Sequence, residues 1–324
     1  MADLTAGRRV DVFSLPMTVT FRGVGHREGM LLHGPSGVGE FSPFWDYPVE
    51  ESASWLAAAI EAADLGFPPP VRDRVPVNCT VPAVAPEQAA AIVTGSHGCT
   101  TAKVKVAETG QSLDDDVARV FAVRDAMGPH ARIRVDANGG WDVEQAVHAI
   151  ARLDEVGLEY VEQPVTTVEG LAAVRRRVEV PIAADESIRR VADPLRVSRL
   201  GAADIAVLKV QPLGGVRACL RLAEQIDMPV VVSSALESSV GIAAGVALAA
   251  ALPELPYACG LATTLLLSHD LSASPLTAVD GLLTVRRAAP DAELVDRARP
   301  DRTTVSRWRE RLTACLGVLE GRRP

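Results

Sequence analysis

Two lysines stand two residues apart in the segment Thr101-Ala-Lys-Val-Lys-Val106, which otherwise has the pattern of a buried β-strand. Side chains at positions i and i+2 of a strand project from the same face, so Lys103 and Lys105 are expected to lie side by side. Loss of hydration and mutual repulsion both lower the pKa of a buried lysine toward neutrality. A partly neutral lysine can remove a proton from carbon, and we therefore predict a general base in this strand.

Three acidic residues each end an apolar segment: Asp136 in Arg134-Val-Asp-Ala-Asn138, Glu162 in Tyr160-Val-Glu-Gln-Pro164, and Asp185 in Ala183-Ala-Asp-Glu-Ser187. A single acid of this kind is equally well explained by an ion pair at a barrel rim. Three carboxylates on neighbouring strands repel one another unless a cation lies between them, and burying an unpaired carboxylate is costly. Ligands that are all oxygen favour a hard ion, which predicts a Mg²⁺ site, with Mn²⁺ as the alternative.

These residues require strands whose carboxyl ends meet. Apolar strand segments separated by helix-sized stretches are predicted at 75–81, 101–106, 132–136, 158–162, 181–185, 204–209, 229–233 and 257–261. Such a series pairs in parallel and closes into a (β/α) barrel, in which active sites assemble at the carboxyl ends of the strands. Lys105 and Lys209 end the second and sixth strands, so we expect them to face each other across the ring. A cation that binds a substrate carboxylate, with an amine on either side, can promote loss of the neighbouring proton.

The segments on either side of the barrel have a different pattern of apolar residues and turn signals. Residues 8–48 alternate apolar segments with turn signals, which predicts an antiparallel sheet. A helix over 50–65, with Trp55 on its apolar face, is followed by three consecutive prolines that mark a stiff connection. A strand over 281–285 and an apolar helical stripe that includes Trp308 are predicted in the tail. We predict domain bounds of 1–74 for an α+β domain, 75–275 for the barrel and 276–324 for a C-terminal segment.

Composition narrows the class of protein. The chain has 324 residues, of which 48% are hydrophobic, and its net charge of −8 argues against a nucleic-acid partner. The five cysteines are scattered and odd in number, which is typical of reduced core residues in a cytoplasmic protein. The N-terminus lacks the long apolar region of a signal peptide. The apolar run Val240–Leu252 is shorter than the roughly twenty residues that cross a bilayer, so we predict a buried helix and no membrane insertion.

The motifs Lys103-Val-Lys105, Asp136-Ala-Asn138, Glu162-Gln-Pro164, Asp185-Glu-Ser187 and Lys209 together resemble those of the enolase superfamily, specifically its muconate-lactonizing subgroup. Within that subgroup the chain is similar to the o-succinylbenzoate synthases of menaquinone biosynthesis. This similarity rests on four further features: Arg22, an Arg27-Glu-Gly29 turn, a Gly39-Glu-Phe-Ser-Pro43 loop, and Ser233-Ser-Ala-Leu-Glu-Ser-Ser239. The resemblance implies a modified TIM barrel of the (β/α)7β type beneath an α+β capping domain that the C-terminal tail completes.

The resemblance also implies an activity, the syn-dehydration of 2-succinyl-6-hydroxy-2,4-cyclohexadiene-1-carboxylate to o-succinylbenzoate. Lys105 would remove the proton next to the carboxylate and then protonate the departing hydroxyl. Lys103 would keep the pKa of Lys105 low and contact the substrate carboxylate. Lys209 would stabilise the resulting anion as a cation from the other face. The substrate is thus expected to be a small carboxylate.

Substrate contacts are expected at Asn138, Ser233 and Ser234, although the two serines would equally suit N-caps of a helix over 239–252. An N-succinylamino-acid racemase or another epimerase of the same subgroup is a competing function, because it would use Lys105 and Lys209 as its two acid/base groups. A muconate-type cycloisomerase is a more distant alternative. A non-catalytic barrel, acting as a binding or scaffold protein, would be expected to lose part of the lysine–acid set, which is complete here.

Overall fold

The computed structural model describes residues 7–21, 23–190 and 193–321, so Arg22 lies outside the described residues. The chain begins with an antiparallel sheet of β1 (Val10–Phe21), β2 (Val24–Gly34) and β3 (Gly37–Phe41), followed by α1 (Val49–Asp64). The alternating pattern of the sequence correctly predicts this sheet.

Two segments that support the resemblance differ from their predicted conformation. Arg27–Gly29 is not a turn but part of β2, because its residues pair in continuous register with β1, Arg27 opposite Leu15 and Gly29 opposite Phe13. Most of the predicted 39–43 loop is likewise the end of β3, where Phe41 pairs with Met30. Both segments therefore belong to the sheet of the cap, and Arg27 is held in a buried position.

The barrel strands run in parallel and in chain order around one sheet. The predicted segment 75–81 is split into β4 (Arg74–Pro76) and β5 (Cys79–Val81), of which β5 belongs to the parallel sheet. The next strands are β6 (Thr101–Lys105), β7 (Arg132–Asp136), β8 (Leu158–Glu162), β9 (Ile182–Ala184), β10 (Ile205–Leu208) and β11 (Val230–Val232).

The predicted eighth strand over 257–261 is replaced by isolated bridges. Cys259 bridges to Val77, just before β5, and Gly260 bridges to Ser233, just after β11, both in parallel, so this segment closes the ring. The backbone turns back immediately, since the Leu261 amide donates to the Cys259 carbonyl at 2.9 Å. The barrel prediction is therefore right, whereas the prediction of a full eighth strand is wrong.

Helices alternate with the barrel strands along the chain. They are α2 (Pro86–Thr94), α3 (Leu113–Met127), α4 (Val143–Leu153), α5 (Val168–Arg175), α6 (Glu186–Arg189), α7 (Arg196–Arg199), α8 (Val216–Ala223) and α9 (Ser239–Ala251). Ser112 is the N-cap of α3, with a reciprocal hydrogen-bond pair between Ser112 and Asp115. Helix α9 is buried along almost its whole length, as its alanine-rich sequence predicts.

The C-terminal tail first pairs with β4, at the start of the barrel segment, and then returns to the N-terminal sheet. Strand β12 (Leu282–Thr284) pairs antiparallel with β4, and α10 (Ala292–Arg297) and α11 (Arg302–Gly321) follow. Trp308 and Leu312 of α11 are buried in one apolar cluster with Trp55 of α1. The tail thus packs on the cap, as the resemblance implies, while the exact bounds of the three segments stay a prediction.

Candidate active site

Strand register brings the predicted chemical groups to one end of the barrel. Lys105 at the end of β6 lies opposite Asp136 of β7, and Asp136 lies opposite Glu162 of β8. A pocket at this end is lined by predicted residues from several strands and loops: Lys103, Lys105, Asp136, Asn138, Lys209, Ser233 and Ser234. Glu162 and Asp185 are fully buried and contact the lysines of this pocket, although they are not among its lining residues.

Lys103 and Lys105 share a face as predicted and both lie near Asp136, but only Lys103 contacts Glu162 directly. The Lys103 ammonium donates to both oxygens of Glu162, at 2.9 and 2.8 Å, and lies 3.4 Å from Asp136 Oδ2. The Lys105 Nζ atom lies 2.6 Å from Asp136 Oδ2 and also contacts the Asn138 side-chain oxygen. Lys105 therefore stands between two oxygen acceptors at the pocket surface.

The two lysines have opposite pKa shifts, because Glu162 contacts Lys103 directly and not Lys105. Burial lowers the pKa of Lys105, and the neighbouring Lys103 and Lys209 cations act in the same direction, against the attraction of Asp136. Burial also disfavours the charged form of Lys103, but the carboxylates of Glu162 and Asp136 outweigh that effect and raise its pKa. The prediction of a lowered lysine pKa in this strand is thus correct for Lys105 and wrong for Lys103, which stays an ammonium ion.

Asn138 has a clear structural role beside the predicted base. Its backbone lies in the left-handed region at φ +46°, which asparagine tolerates better than most residues. Its Nδ2 donates to Glu186 Oε1 at 3.2 Å, which turns the amide oxygen toward Lys105. Asn138 lines the pocket, and a direct substrate contact stays a prediction.

On the far side of the acids, Asp185 is held between two cations. Lys209 Nζ lies 2.6 Å from Asp185 Oδ2, and Arg189 Nε lies 2.7 Å from Oδ1. Burial alone would raise the pKa of Asp185, but these two cations lower it, so that the carboxylate is ionised. Sequence reasoning missed Arg189, although its position four residues after Asp185 in a helical turn was a usable signal.

The acids fit a divalent cation by their chemistry. Burial raises the pKa of Glu162 to about 7, and the nearby carboxylates of Asp136 and Asp185 add to that rise. Negative charge is therefore crowded at Glu162 despite its contact with Lys103, whereas nearby cations lower the pKa of Asp136 and of Asp185. Within residues 7–21, 23–190 and 193–321, no three acidic, histidine or cysteine side chains converge as a ready metal site. The carboxylate oxygens are contacted instead by four cationic side chains, those of Lys103, Lys105, Lys209 and Arg189.

Ser233 and Ser234 line the pocket and do not cap the following helix. The N-cap of α9 is Ser238, whose side chain accepts from the Val240 amide, so the capping alternative is wrong for the two earlier serines. The Ser234 hydroxyl lies 2.7 Å from that of Thr263. The cap adds Phe21 and Phe44 to the pocket wall, contacts for which the sequence pattern carries no signal.

Family comparisons agree with this geometry. Residues 12–63 match the family described as enolase N-terminal domain-like, and residues 85–290 match the family described as enolase C-terminal domain-like. The chain therefore belongs to the enolase superfamily. Among solved structures, a muconate lactonizing enzyme from Pseudomonas fluorescens, complexed with muconolactone, superposes with a TM-score of 0.79 at 23% identity, covering 90% of this chain and 98% of that one. This likeness confirms the predicted fold class.

More similar relatives are found among curated sequences. An o-succinylbenzoate synthase of Thermobifida fusca (strain YX) is 62% identical over 308 residues, covering 95% of this chain and 96% of that protein. An o-succinylbenzoate synthase of Mycolicibacterium smegmatis (strain ATCC 700084 / mc(2)155) is 56% identical over 313 residues, covering 96% of each. In the described part of the chain, no helix is both long enough and apolar enough to span a bilayer.

Proposed function

We propose that this protein is an o-succinylbenzoate synthase, a hydro-lyase that dehydrates 2-succinyl-6-hydroxy-2,4-cyclohexadiene-1-carboxylate. The observation that carries the proposal is the placement of two lysines around one pocket. Lys105 on β6 and Lys209 after β10 both line it, and three strands with acidic ends separate them in the sheet. The close relatives that carry this name support the choice of substrate.

The chain's own residues supply the proton transfers. Lys105, whose pKa is lowered by burial, removes the proton from the carbon next to the substrate carboxylate while Asn138 and Asp136 hold its nitrogen. The electrons of that C–H bond are first held as negative charge on the substrate carboxylate, and they then form the new double bond as the C–O bond to the hydroxyl breaks. The Lys105 ammonium then gives its proton to the departing hydroxyl, which leaves as water on the same face.

Two further ammonium groups stabilise the negative charge that develops. Lys209, paired with Asp185, faces the reacting carbon from the opposite side of the pocket. Lys103, paired with Glu162, contacts the substrate carboxylate and disfavours a second positive charge on Lys105. Asn138, Ser233 and Ser234 are proposed to contact the substrate directly.

Asp136, Glu162 and Asp185 are proposed to hold Mg²⁺, with Mn²⁺ as a substitute. A bound divalent ion would stabilise the negative charge that develops on the substrate carboxylate. Three buried carboxylates on adjacent strand ends support this proposal, since oxygen donors suit both ions. Calorimetric titration with MgCl₂ tests the site independently of activity.

The two lysines also favour a second candidate, an N-succinylamino-acid racemase, because each could exchange a proton on one face of a substrate. Purified protein should therefore be incubated with Mg²⁺ and either the cyclohexadiene substrate or one enantiomer of an N-succinylamino acid. We expect dehydration to be the faster reaction. Racemisation with no dehydration would contradict the proposal and favour the second candidate.

We also propose a place for the protein in menaquinone biosynthesis, in the cytoplasm, with a small-molecule carboxylate substrate and no nucleic-acid partner. All five cysteines are free and buried, which suits a reducing compartment. The net charge of −8 disfavours binding to nucleic acid. Loss of menaquinone on deletion of the gene, and its recovery on complementation, would test the pathway.

A further inference from the structure

The segment 234–238 between β11 and α9 forms one wall of the pocket. Ser234, Ala235 and Leu236 line that wall. Leu236 has a φ of +66°, a left-handed conformation that is unfavourable for a leucine. Such a conformation persists only where surrounding contacts impose it, and Arg27 of the cap supplies two of those contacts.

Arg27 of β2 holds this segment by its backbone. It is 2% exposed, its Nε donates to the Leu236 carbonyl at 2.9 Å, and its Nη2 donates to the Ala235 carbonyl at 3.2 Å. The same guanidinium lies 4.3 Å from the centre of the Phe44 ring, which lines the pocket from the cap side. One buried side chain therefore contacts both the barrel wall and the cap wall of the pocket.

Glu40 of β3 holds the other end of the segment. Its carboxylate accepts from the Ser238 hydroxyl at 2.5 Å and from the Gly241 amide at 3.1 Å, at the N-terminus of α9. It also accepts from the Ser42 hydroxyl at 2.7 Å, and Ser42 in turn contacts Arg27. Arg27 and Glu40 thus form one connected network from the cap to segment 234–238.

The position of segment 234–238 in the barrel determines which part of a bound substrate it can contact. The proposed metal ligands end β7 and β8 or follow β9, whereas segment 234–238 follows β11, which the bridges at Cys259 and Gly260 connect to the first strand. The segment therefore lies across the mouth of the barrel from Asp136. With the reacting carboxylate beside Asp136, as the proposed function requires, the remote end of the substrate would extend toward this wall.

We infer that Arg27 and Glu40 are positioning residues that set the pocket wall for the remote, succinyl end of the substrate. The inference rests on the proposed function. Neither residue contacts the reacting carbon, because each acts through the backbone of segment 234–238. Their loss should therefore weaken substrate binding much more than it slows the chemical step.

The test compares Arg27→Lys and Glu40→Gln with Arg72→Lys as a matched control. Arg72 also donates to backbone carbonyls, at Ala249 and Leu252, but at the opposite end of α9. Each variant is assayed for kcat and KM with the cyclohexadiene substrate, and its Kd for o-succinylbenzoate is measured by calorimetry. In Arg27→Lys and Glu40→Gln we expect KM and Kd to rise at least tenfold and kcat to stay within threefold of the parent. In the control, Arg72→Lys, we expect KM and Kd to equal those of the parent.

A lower kcat with an unchanged KM would indicate loss of correctly folded protein and would overturn the inference. The inference would also be overturned if Arg27→Lys and Glu40→Gln had the same KM and Kd as the parent. An inactive parent would overturn the proposed function and this inference with it. An active parent with unaffected variants overturns the inference alone. The nearly isosteric Glu40→Gln variant decides the question if Arg27→Lys does not fold.

Discussion

Glu40 gives the protein a specific dependence of stability on pH. The side chain is 3% exposed, and burial raises its pKa from an ordinary 4.5 to about 7. Glu237 raises the pKa further, whereas Arg27 and hydrogen bonds from Ser238 and Ser42 lower it. We consider the variant Glu40→Gln, which keeps the shape of the side chain and removes its ionisation.

The sign and size of the effect follow from proton linkage. Because the folded state binds the Glu40 proton more tightly than the unfolded state, the stabilisation is complete below pH 4.5 and is lost as pH rises through about 7. One pKa unit corresponds to about 1.4 kcal/mol, so the total loss is about 3 kcal/mol, of which about 2.5 kcal/mol falls between pH 5 and pH 8. Glutamine cannot ionise, so Glu40→Gln escapes this loss.

The assay is urea denaturation of the parent and of Glu40→Gln, followed by circular dichroism at several values between pH 5 and pH 8. Subtracting the two curves removes the titration of all groups that both proteins share. The difference in free energy of unfolding should move in favour of the variant by about 2.5 kcal/mol as pH rises. A flat difference, or one that moves in favour of the parent, would refute the reasoning about Glu40.

Three further predictions concern the site and its support. Glu162→Gln removes a charge with little change of shape, so Mg²⁺ affinity measured by calorimetry should fall about 100-fold or more; unchanged affinity would remove Glu162 from the ligand set. Lys209→Arg keeps a cation but cannot exchange a proton near neutral pH, so in D₂O with an N-succinylamino acid, exchange should persist for one enantiomer through Lys105 and vanish for the other. Loss of both exchanges, or of neither, would mean that the lysines do not flank the substrate. Trp308→Ala removes a fully buried side chain packed against Phe41, and should lower the free energy of unfolding by about 3–5 kcal/mol in urea titrations; a loss below about 1 kcal/mol would contradict the proposed docking of α11 on the cap.

The barrel and the charged groups of its mouth were predictable because both follow from short-range patterns. Alternation in β6 places Lys103 and Lys105 on one face, and parallel pairing then brings Lys105 opposite Asp136. Charged residues at the ends of apolar strands have few structural uses other than ion pairs or a site. These rules need only local sequence and the handedness of parallel strands.

The contacts between cap and barrel were not predictable in the same way. Arg27 and Leu236 are 209 residues apart in the chain, and their hydrogen bond depends on how two separate bodies dock. The pKa of Lys103 also depends on its pairing with Glu162 of β8, which lies two strands away in the sheet. A pattern of residue types records which groups are present but not which carboxylate each cation contacts.

The central claim is that Lys105 is the base of a dehydration reaction, and Lys105→Ala tests it most directly. The parent and the variant are each incubated with Mg²⁺ and the cyclohexadiene substrate, o-succinylbenzoate is quantified by chromatography, and circular dichroism checks that the variant is folded. We predict product formation by the parent and a loss of at least 1,000-fold in kcat in the variant, within the contribution expected of a general acid–base group. Lys105→Arg should be similarly inactive, because a guanidinium has no accessible neutral form. Activity of Lys105→Ala within tenfold of the parent, or a parent that forms no product, would contradict the claim.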